Sequence, residues 1–327
     1  MRILITGGCG FIGHHFVDHF LKNSDFEIVA LDRVTHASKG FDRVRDLQAF
    51  DDQRVKILSA DFTQEFGSGL RRDIGAVDYI LHLGAETHVD VSRRDPTPFV
   101  VSNIYGTFNM LQFARSVPHL KTFFYFSTEE VFGPAPEGVA YKEDDRHNPV
   151  NPYSATKSGG EMLAKAYHSA YGLPIIITRT INVFGERQHP EKFIPMIIKK
   201  VLAGEKVIIH ANPVKTKAGS RFWIHARNAA HAYSFLLEKG KIGEAYHIVG
   251  EREVDNLEMA RIIAQILGKE LRYEMADFLS VRPGDGVRHA LDGTKMKNLG
   301  WQIPMTFEES LKKTIQWTLA HPQWLDF

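Results

Sequence analysis

Arg2-Ile3-Leu4-Ile5-Thr6-Gly7-Gly8-Cys9-Gly10-Phe11-Ile12-Gly13 decides the fold. A short apolar run, Ile3–Thr6, enters a glycine-rich turn and then a segment of helical periodicity, Phe11–Lys22. Glycines at 7, 10 and 13 let the backbone turn sharply and approach a pyrophosphate, whose charge a helix N-terminus stabilises. The spacing is GxxGxxG rather than GxGxxG. Asp32 ends the next apolar run about 20 residues downstream, where a carboxylate can take the adenosine ribose hydroxyls. It repels a 2′-phosphate, so NAD is expected over NADP, a preference that the neighbouring Arg33 moderates.

Working outward, further short runs rich in Ile, Val and Phe follow at Ile28–Leu31, Val55–Leu58, Tyr79–Leu83, Thr122–Ser127 and Ile175–Thr178. They are too short for helices and read as strands covered on both faces. Helical patterns lie between them at Thr97–Ser116 and Tyr153–Tyr171. The alternation predicts right-handed βαβ units and an α/β, Rossmann-type, doubly wound parallel sheet. The second half changes character. Helices are expected at Ile194–Ala203, Ala226–Glu238, Asn256–Leu267 and Phe307–Ala320, with strands at Val207–His210 and Ala245–Val249 and a polar loop over Asn212–Ser220. The expected division is a dinucleotide-binding domain over 1–178, to which 223–250 crosses back, and a smaller mixed α/β substrate domain over 179–222 and 251–327. No internal repeat or low-complexity tract interrupts it.

With 40 Lys and Arg against 39 Asp and Glu in 327 residues, the chain carries no electrostatic footprint for nucleic acid or an anionic membrane. Arg43, Arg45, Arg71 and Arg72 stand among acids and read as a solvated face. No apolar run reaches the roughly 20 residues that span a bilayer. The single cysteine, Cys9, excludes an intrachain disulfide framework and suits a reducing compartment, so a cytoplasmic location is expected. Met1 leads directly into the first strand, so no signal peptide is expected. Cys9 lies where backbone must meet phosphate and lacks a base, which argues against a nucleophile. His14, His15 and His19 have no carboxylate or thiol partner in sequence and read as packing residues; no metal is expected.

The chemistry concentrates between Ser127 and Lys157. The run ending at Phe126 meets a hydroxyl and two carboxylates, Thr128-Glu129-Glu130, and then Tyr153 and Lys157 four apart in a helical segment. Residues at i and i+4 share a helix face. An ammonium beside a phenol favours the phenolate, so Tyr153 is expected to be a general base for an alcohol, with its pKa lowered by Lys157 and Thr128 as its hydrogen-bond partner.

Taken in order, these motifs resemble the extended short-chain dehydrogenase/reductase family and, within it, the nucleotide-diphosphoglucose 4,6-dehydratases, the dTDP-glucose type above all. The resemblance runs nearly end to end. It is carried by Thr6–Gly13, Asp32-Arg33-Val34-Thr35, Asp61-Phe62, His82–Asp90, Ser127–Gly133, Tyr153–Lys157, Pro190–Pro195 and Arg282-Pro283-Gly284-Asp285. It implies that Gly7, Gly10, Phe11, Ile12 and Gly13 line the pyrophosphate and that Asp32 takes the ribose, with Arg33 and Thr35 beside it. Asp61 and Phe62 would flank the adenine, and Leu83 and Ala85 would lie under the cofactor. Tyr153 and Lys157 would touch the nicotinamide ribose and the reacting sugar. His88, Asn182, Lys192, Arg221, Arg282 and Arg288 would hold the substrate, chiefly its diphosphate, for which guanidinium forks are suited.

Within that family the pair after Thr128 discriminates. A 4-epimerase moves hydride at one carbon, whereas dehydration needs one group to take the C5 proton and another to protonate the departing 6-hydroxyl. The resembled dehydratases carry Thr-Asp-Glu; here Glu130 matches the base and Glu129 replaces the acid with a side chain one methylene longer. Other departures are Phe222 after Arg221, Asn228, Asp285, and the loop Asn212–Gly219 with Lys215 and Lys217. All lie on the nucleotide side, so dTDP, UDP or another nucleotide stays open. The alternatives are a 4-epimerase or a uronate decarboxylase on the same frame, and a redox-sensing protein that binds NAD without turnover. The resemblance also implies a homodimer, through the helices at Thr97–Ser116 and Tyr153–Tyr171 with Phe99, Ile104, Phe108, Met162 and Tyr167.

Overall fold

A computed structural model describes residues 1–35, 38–280 and 286–326. The first six strands are β1 (Arg2–Thr6), β2 (Glu27–Asp32), β3 (Val55–Ser59), β4 (Tyr79–His82), β5 (Thr122–Thr128) and β6 (Ile175–Thr180). Later come β7 (Asn182–Phe184), β8 (Val207–Ala211), β9 (Ser220–His225), β10 (Ala245–Ile248), β11 (Glu253–Asp255), β12 (Tyr273–Asp277) and β13 (Arg288–His289). Seven strands form one sheet in the order β10-β6-β5-β4-β1-β2-β3, and every pairing in it is parallel.

The apolar strands are continuous because both faces are covered. Ile3 and Ile5 point into a core with Phe16, Val17, Tyr233 and Leu236. Leu4, between them, points to the other side, with Met110, Leu111, Ala164 and Tyr167. Helices Phe11–Asn23 and Ala226–Lys239 therefore lie on one face, and Thr107–Arg115 and Pro152–Tyr171 on the other. Residues from the second half complete this layer. Tyr233 meets Phe16 edge-on at 4.9 Å, the Ser234 hydroxyl bonds His19 Nε2 at 2.7 Å, and β10 extends the sheet past β6.

Around β9 stands a smaller sheet in which β7 and β13 pair parallel and β11 antiparallel. Its core includes Phe184, Ile197, Trp223, Val254 and Leu311. A two-stranded pair, β8 with β12, lies beside it.

Three expectations need correction. The helix expected over Thr97–Ser116 is interrupted: Thr97–Phe99 and Thr107–Arg115 flank a π-helical segment, Val100–Gly106. Arg43 is not on a solvated face. It is fully buried, donates from Nε to the Arg187 carbonyl at 3.0 Å, and its guanidinium lies over Trp324. Phe99 and Tyr167 are buried within their own chain. Among the described residues no helix is long and apolar enough to cross a membrane.

Candidate active site

The sheet order reverses at β1, whose neighbours are β2 and β4, and the crevice beyond the strand ends opens there. Gly7 turns the chain with φ of 69°. A Cβ on Gly13 would lie 2.0 Å from the Gly7 carbonyl oxygen, so the helix must start against bare backbone. That helix has Gly10 at its N-cap and no side-chain cap, leaving first-turn N–H groups for an incoming anion. Gly7, Gly10, Phe11, Ile12, Gly13, Asp32, Arg33, Thr35, Phe62, Leu83 and Ala85 line one cleft. Backbone cradle, helix N-terminus and ribose-side carboxylate together fit a dinucleotide.

Asp32 is held ready by its neighbours. One carboxylate oxygen accepts from the Cys9 N–H at 3.1 Å, the other from the Val34 N–H at 2.8 Å and the Ser38 hydroxyl at 3.1 Å. Asp61 caps its own turn through the Thr63 N–H at 2.8 Å. Burial, with Asp32 nearby, pushes the Cys9 thiol up to about 12, so it is inert. His14, His15 and His19 are buried. Their ring nitrogens meet the Gly10 carbonyl, the Glu186 carbonyl and the Ser234 hydroxyl respectively.

At the end of β5 the chain makes a 3-10 turn, Glu129–Phe132, capped by the Thr128 hydroxyl, which accepts from the Glu130 N–H at 3.4 Å. The same hydroxyl donates to the Glu129 carboxylate at 2.7 Å. Asn151 ties this turn to the next helix. Its side-chain N–H donates to Glu130 at 3.1 Å, and its oxygen caps helix Pro152–Tyr171 through the Ser154 N–H at 2.8 Å. Tyr153 and Lys157 follow within that helix, both buried, and Lys157 Nζ donates to the Phe126 carbonyl at 2.5 Å. Thr128, Glu129, Glu130, Tyr153 and Lys157 are thus gathered by one strand end and one helix start.

Burial, reinforced by the Glu130 carboxylate, raises Glu129 to about 7, against opposing pulls from Thr128 and Arg221. A buried carboxyl near neutrality can hold a proton and give it up. Burial lowers Lys157 to about 7, with Glu161 opposing. The expected lowering of Tyr153 is not found. Burial and the carboxylates of Glu129 and Glu130 raise its phenol, and only the hydrogen bond with Thr128 works the other way. The lysine that spacing set beside the phenol is instead held by the Phe126 carbonyl and lies over the Tyr125 ring at 4.5 Å.

On the substrate side the candidates separate. His88 and Lys192 line the same cleft as the glycine turn. Asn182 sits on β7 in register with Trp223. Arg221 donates to the carbonyls of Ser220 and Val287, at 2.7 and 2.9 Å, and its charge is felt at Glu129. Arg288 is committed elsewhere. It forks onto Glu253 at 2.8 and 2.9 Å and donates to the Pro136 and Val139 carbonyls at 2.7 and 2.5 Å. It therefore braces the loop after the Glu129–Phe132 turn. Arg282 and Asp285 lie outside the described residues.

Sequence reading missed Ser92, whose hydroxyl receives the Tyr153 N–H at 3.2 Å, and Asn103. It also missed Glu86, Gln188, His189 and Glu191 in the cleft wall. No periodicity marks them; Ser92 and Asn103 lie within helical segments, whereas Glu86, Gln188, His189 and Glu191 follow strand ends, which was an available signal.

The sequence profile of the GDP-mannose 4,6 dehydratase family matches residues 4–314. The trifunctional UDP-glucose 4,6-dehydratase/3,5-epimerase/reductase of Arabidopsis thaliana is 35% identical over 99% of this chain, which spans 48% of that protein. The dTDP-glucose 4,6-dehydratase of Escherichia coli is 33% identical, covering 100% of this chain and 95% of its own. The crystal structure of the dTDP-glucose 4,6-dehydratase DesIV of Streptomyces venezuelae, with NAD bound, superimposes with a TM-score of 0.87. It is 33% identical and covers 100% of this chain and 99% of that one.

Proposed function

The chain belongs to the GDP-mannose 4,6-dehydratase family, and from that premise we propose that it dehydrates a nucleotide-linked glucose, dTDP-glucose before others, to the 4-keto-6-deoxy sugar. The observation that carries this reading is the side-by-side pair Glu129 and Glu130 at the phenol of Tyr153, with Glu129 near neutrality. Epimerisation at C4 has no use for a second acid–base pair.

NAD held in this cleft would supply the hydride acceptor for C4 and the hydride donor for C6. Tyr153, hydrogen-bonded to Thr128, takes the proton from O4. The resulting ketone acidifies C5–H, which Glu130 removes, aimed by Asn151. Glu129, protonated, gives its proton to O6 and water leaves. Glu130 returns a proton to C5. Lys157, fixed by the Phe126 carbonyl, supplies a cation behind the reacting sugar and the cofactor ribose. His88, Asn182, Lys192 and Arg221 hold the nucleoside diphosphate, joined by Arg282; Arg288 braces the loop over Pro136–Val139.

In this reading 1–178 with 223–250 carries the cofactor, and 179–222 with 251–327 carries the nucleotide sugar. The chain pairs with a second copy through Val100, Val101, Tyr105 and Met162, which are 41–54% exposed on the two adjoining helices. Light scattering giving only a 37.1 kDa species would remove that pairing. The one buried thiol suits a cytoplasmic setting. The function is tested by incubating the protein with dTDP-glucose, UDP-glucose, GDP-mannose and UDP-glucuronate and weighing the products. Loss of one water is expected. Release of carbon dioxide, or an isomer of unchanged mass, would replace the reading with decarboxylation or epimerisation.

A further inference from the structure

Glu86 follows β4 and Arg33 follows β2, and β1 with its glycine turn lies between those strands in the sheet. The two side chains nevertheless meet: the Arg33 guanidinium donates to the Glu86 carboxylate. The ion pair therefore joins the two banks of the dinucleotide cleft across the end of β1. Asp61 stands on the other side of the same guanidinium, 3.9 Å away.

Glu86 is anchored more firmly than a surface partner. Its backbone N–H donates to Asn103 Oδ1 at 2.9 Å, and its carbonyl accepts from Asn103 Nδ2 at 3.0 Å. Asn103 lies in the π-helical segment and also donates to the Thr156 hydroxyl at 3.0 Å, which in turn bonds the Tyr153 carbonyl at 2.8 Å. The backbone that carries the carboxylate is thus fixed. Arg43, the other guanidinium on that bank, is buried at the cleft and donates from Nε to the Arg187 carbonyl, with the Trp324 ring beneath it.

We propose that Glu86 is a cofactor-specificity residue: it holds Arg33 across the cleft and so withholds that guanidinium from a 2′-phosphate. Asp32 alone leaves a residue beside it that is suited to bidentate phosphate recognition. Held by Glu86 and Asp61, Arg33 instead completes a rim with three carboxylates, Asp32, Asp61 and Glu86, that disfavours the extra phosphate of NADP. Glu86 acts through Arg33; the assignment needs only NAD binding and does not depend on which sugar is turned over.

The test reads bound cofactor rather than activity. The holoprotein is equilibrated with excess NAD and NADP together and reisolated, and the nucleotide released by acid is quantified by mass spectrometry. The native protein is expected to hold NAD. In Glu86→Gln the bound NAD-to-NADP ratio should fall about tenfold, the size of a freed charge-assisted fork on phosphate. Adding Arg33→Gln to that variant should restore the native ratio. A Glu86→Gln ratio equal to native, or a fall that persists in the double variant, would overturn the assignment. Arg33→Gln alone keeps the test open should Glu86→Gln misfold. It should leave the ratio unchanged, and a tenfold rise in NAD preference would mean that Arg33 already serves the 2′-phosphate.

Discussion

The end of β5 and the back of helix Pro152–Tyr171 each bury a glutamate, and they do opposite things with it. Glu161, one turn beyond Lys157, is fully buried. Its carboxylate is forked by Arg179 at 2.5 and 3.1 Å and approached by His147 and Lys165, each at 3.3 Å. These partners outweigh burial and hold it well below the usual carboxylate range. Glu129 is 4% exposed, yet its near neighbours are a hydroxyl and a second carboxylate, and burial wins. Burial alone therefore marks neither structure nor catalysis. A buried acid with cationic partners is held ionised, and one without them is pushed toward neutrality.

If that distinction holds, substitutions at the two sites should part company. Glu130→Gln and Glu129→Gln should each cost dehydration about 10²–10⁴-fold, the usual worth of a positioned acid or base. Bound NAD should stay unchanged, measured as product formed per released cofactor. Glu161→Met should instead strand the Arg179 guanidinium in the interior. Stability should fall by about 3–5 kcal/mol in a urea titration, and Glu161→Met with Arg179→Met together should recover most of it.

The smallest effect has the opposite sign. Glu129 is raised from an ordinary carboxylate value to about 7, so the folded state binds its proton more tightly than the unfolded chain. That grip favours folding at low pH and is lost as pH climbs through about 7. Glu129→Gln should accordingly stabilise the protein by about 2–3 kcal/mol at pH 8, and the gain should shrink toward zero by pH 4.5. The native turnover rate should fall above about pH 7 as Glu129 loses its proton and Lys157 its charge. A rate that climbs steadily through pH 9 would contradict both assignments.

The glycine turn, Asp32 and the Tyr–Lys spacing were legible because each is a local requirement written in adjacent residues. The strands of the large sheet were legible because cover on both faces forces unbroken apolar runs. The π-helical segment was not, since one extra residue per turn barely changes the apolar pattern of Thr97–Ser116, although it carries Asn103. The small sheet escaped because β7, β11 and β13 are two or three residues long. The direction of the Tyr153 shift escaped for another reason. Spacing along a helix puts Lys157 near the phenol, but only folding shows that two glutamate carboxylates act on the phenol and that a carbonyl holds the ammonium. Arg288 reads as a phosphate ligand from its sequence context; that Glu253 meets its fork is visible only in the fold.

The central claim is that two adjacent glutamates carry out an elimination, and dTDP-glucose incubated with the protein in deuterated water tests it most directly. Mass spectrometry should find a sugar lighter by one water that carries a single solvent deuterium at C5. Recovery of unlabelled sugar nucleotide of the starting mass, with only the C4 configuration changed, would contradict it.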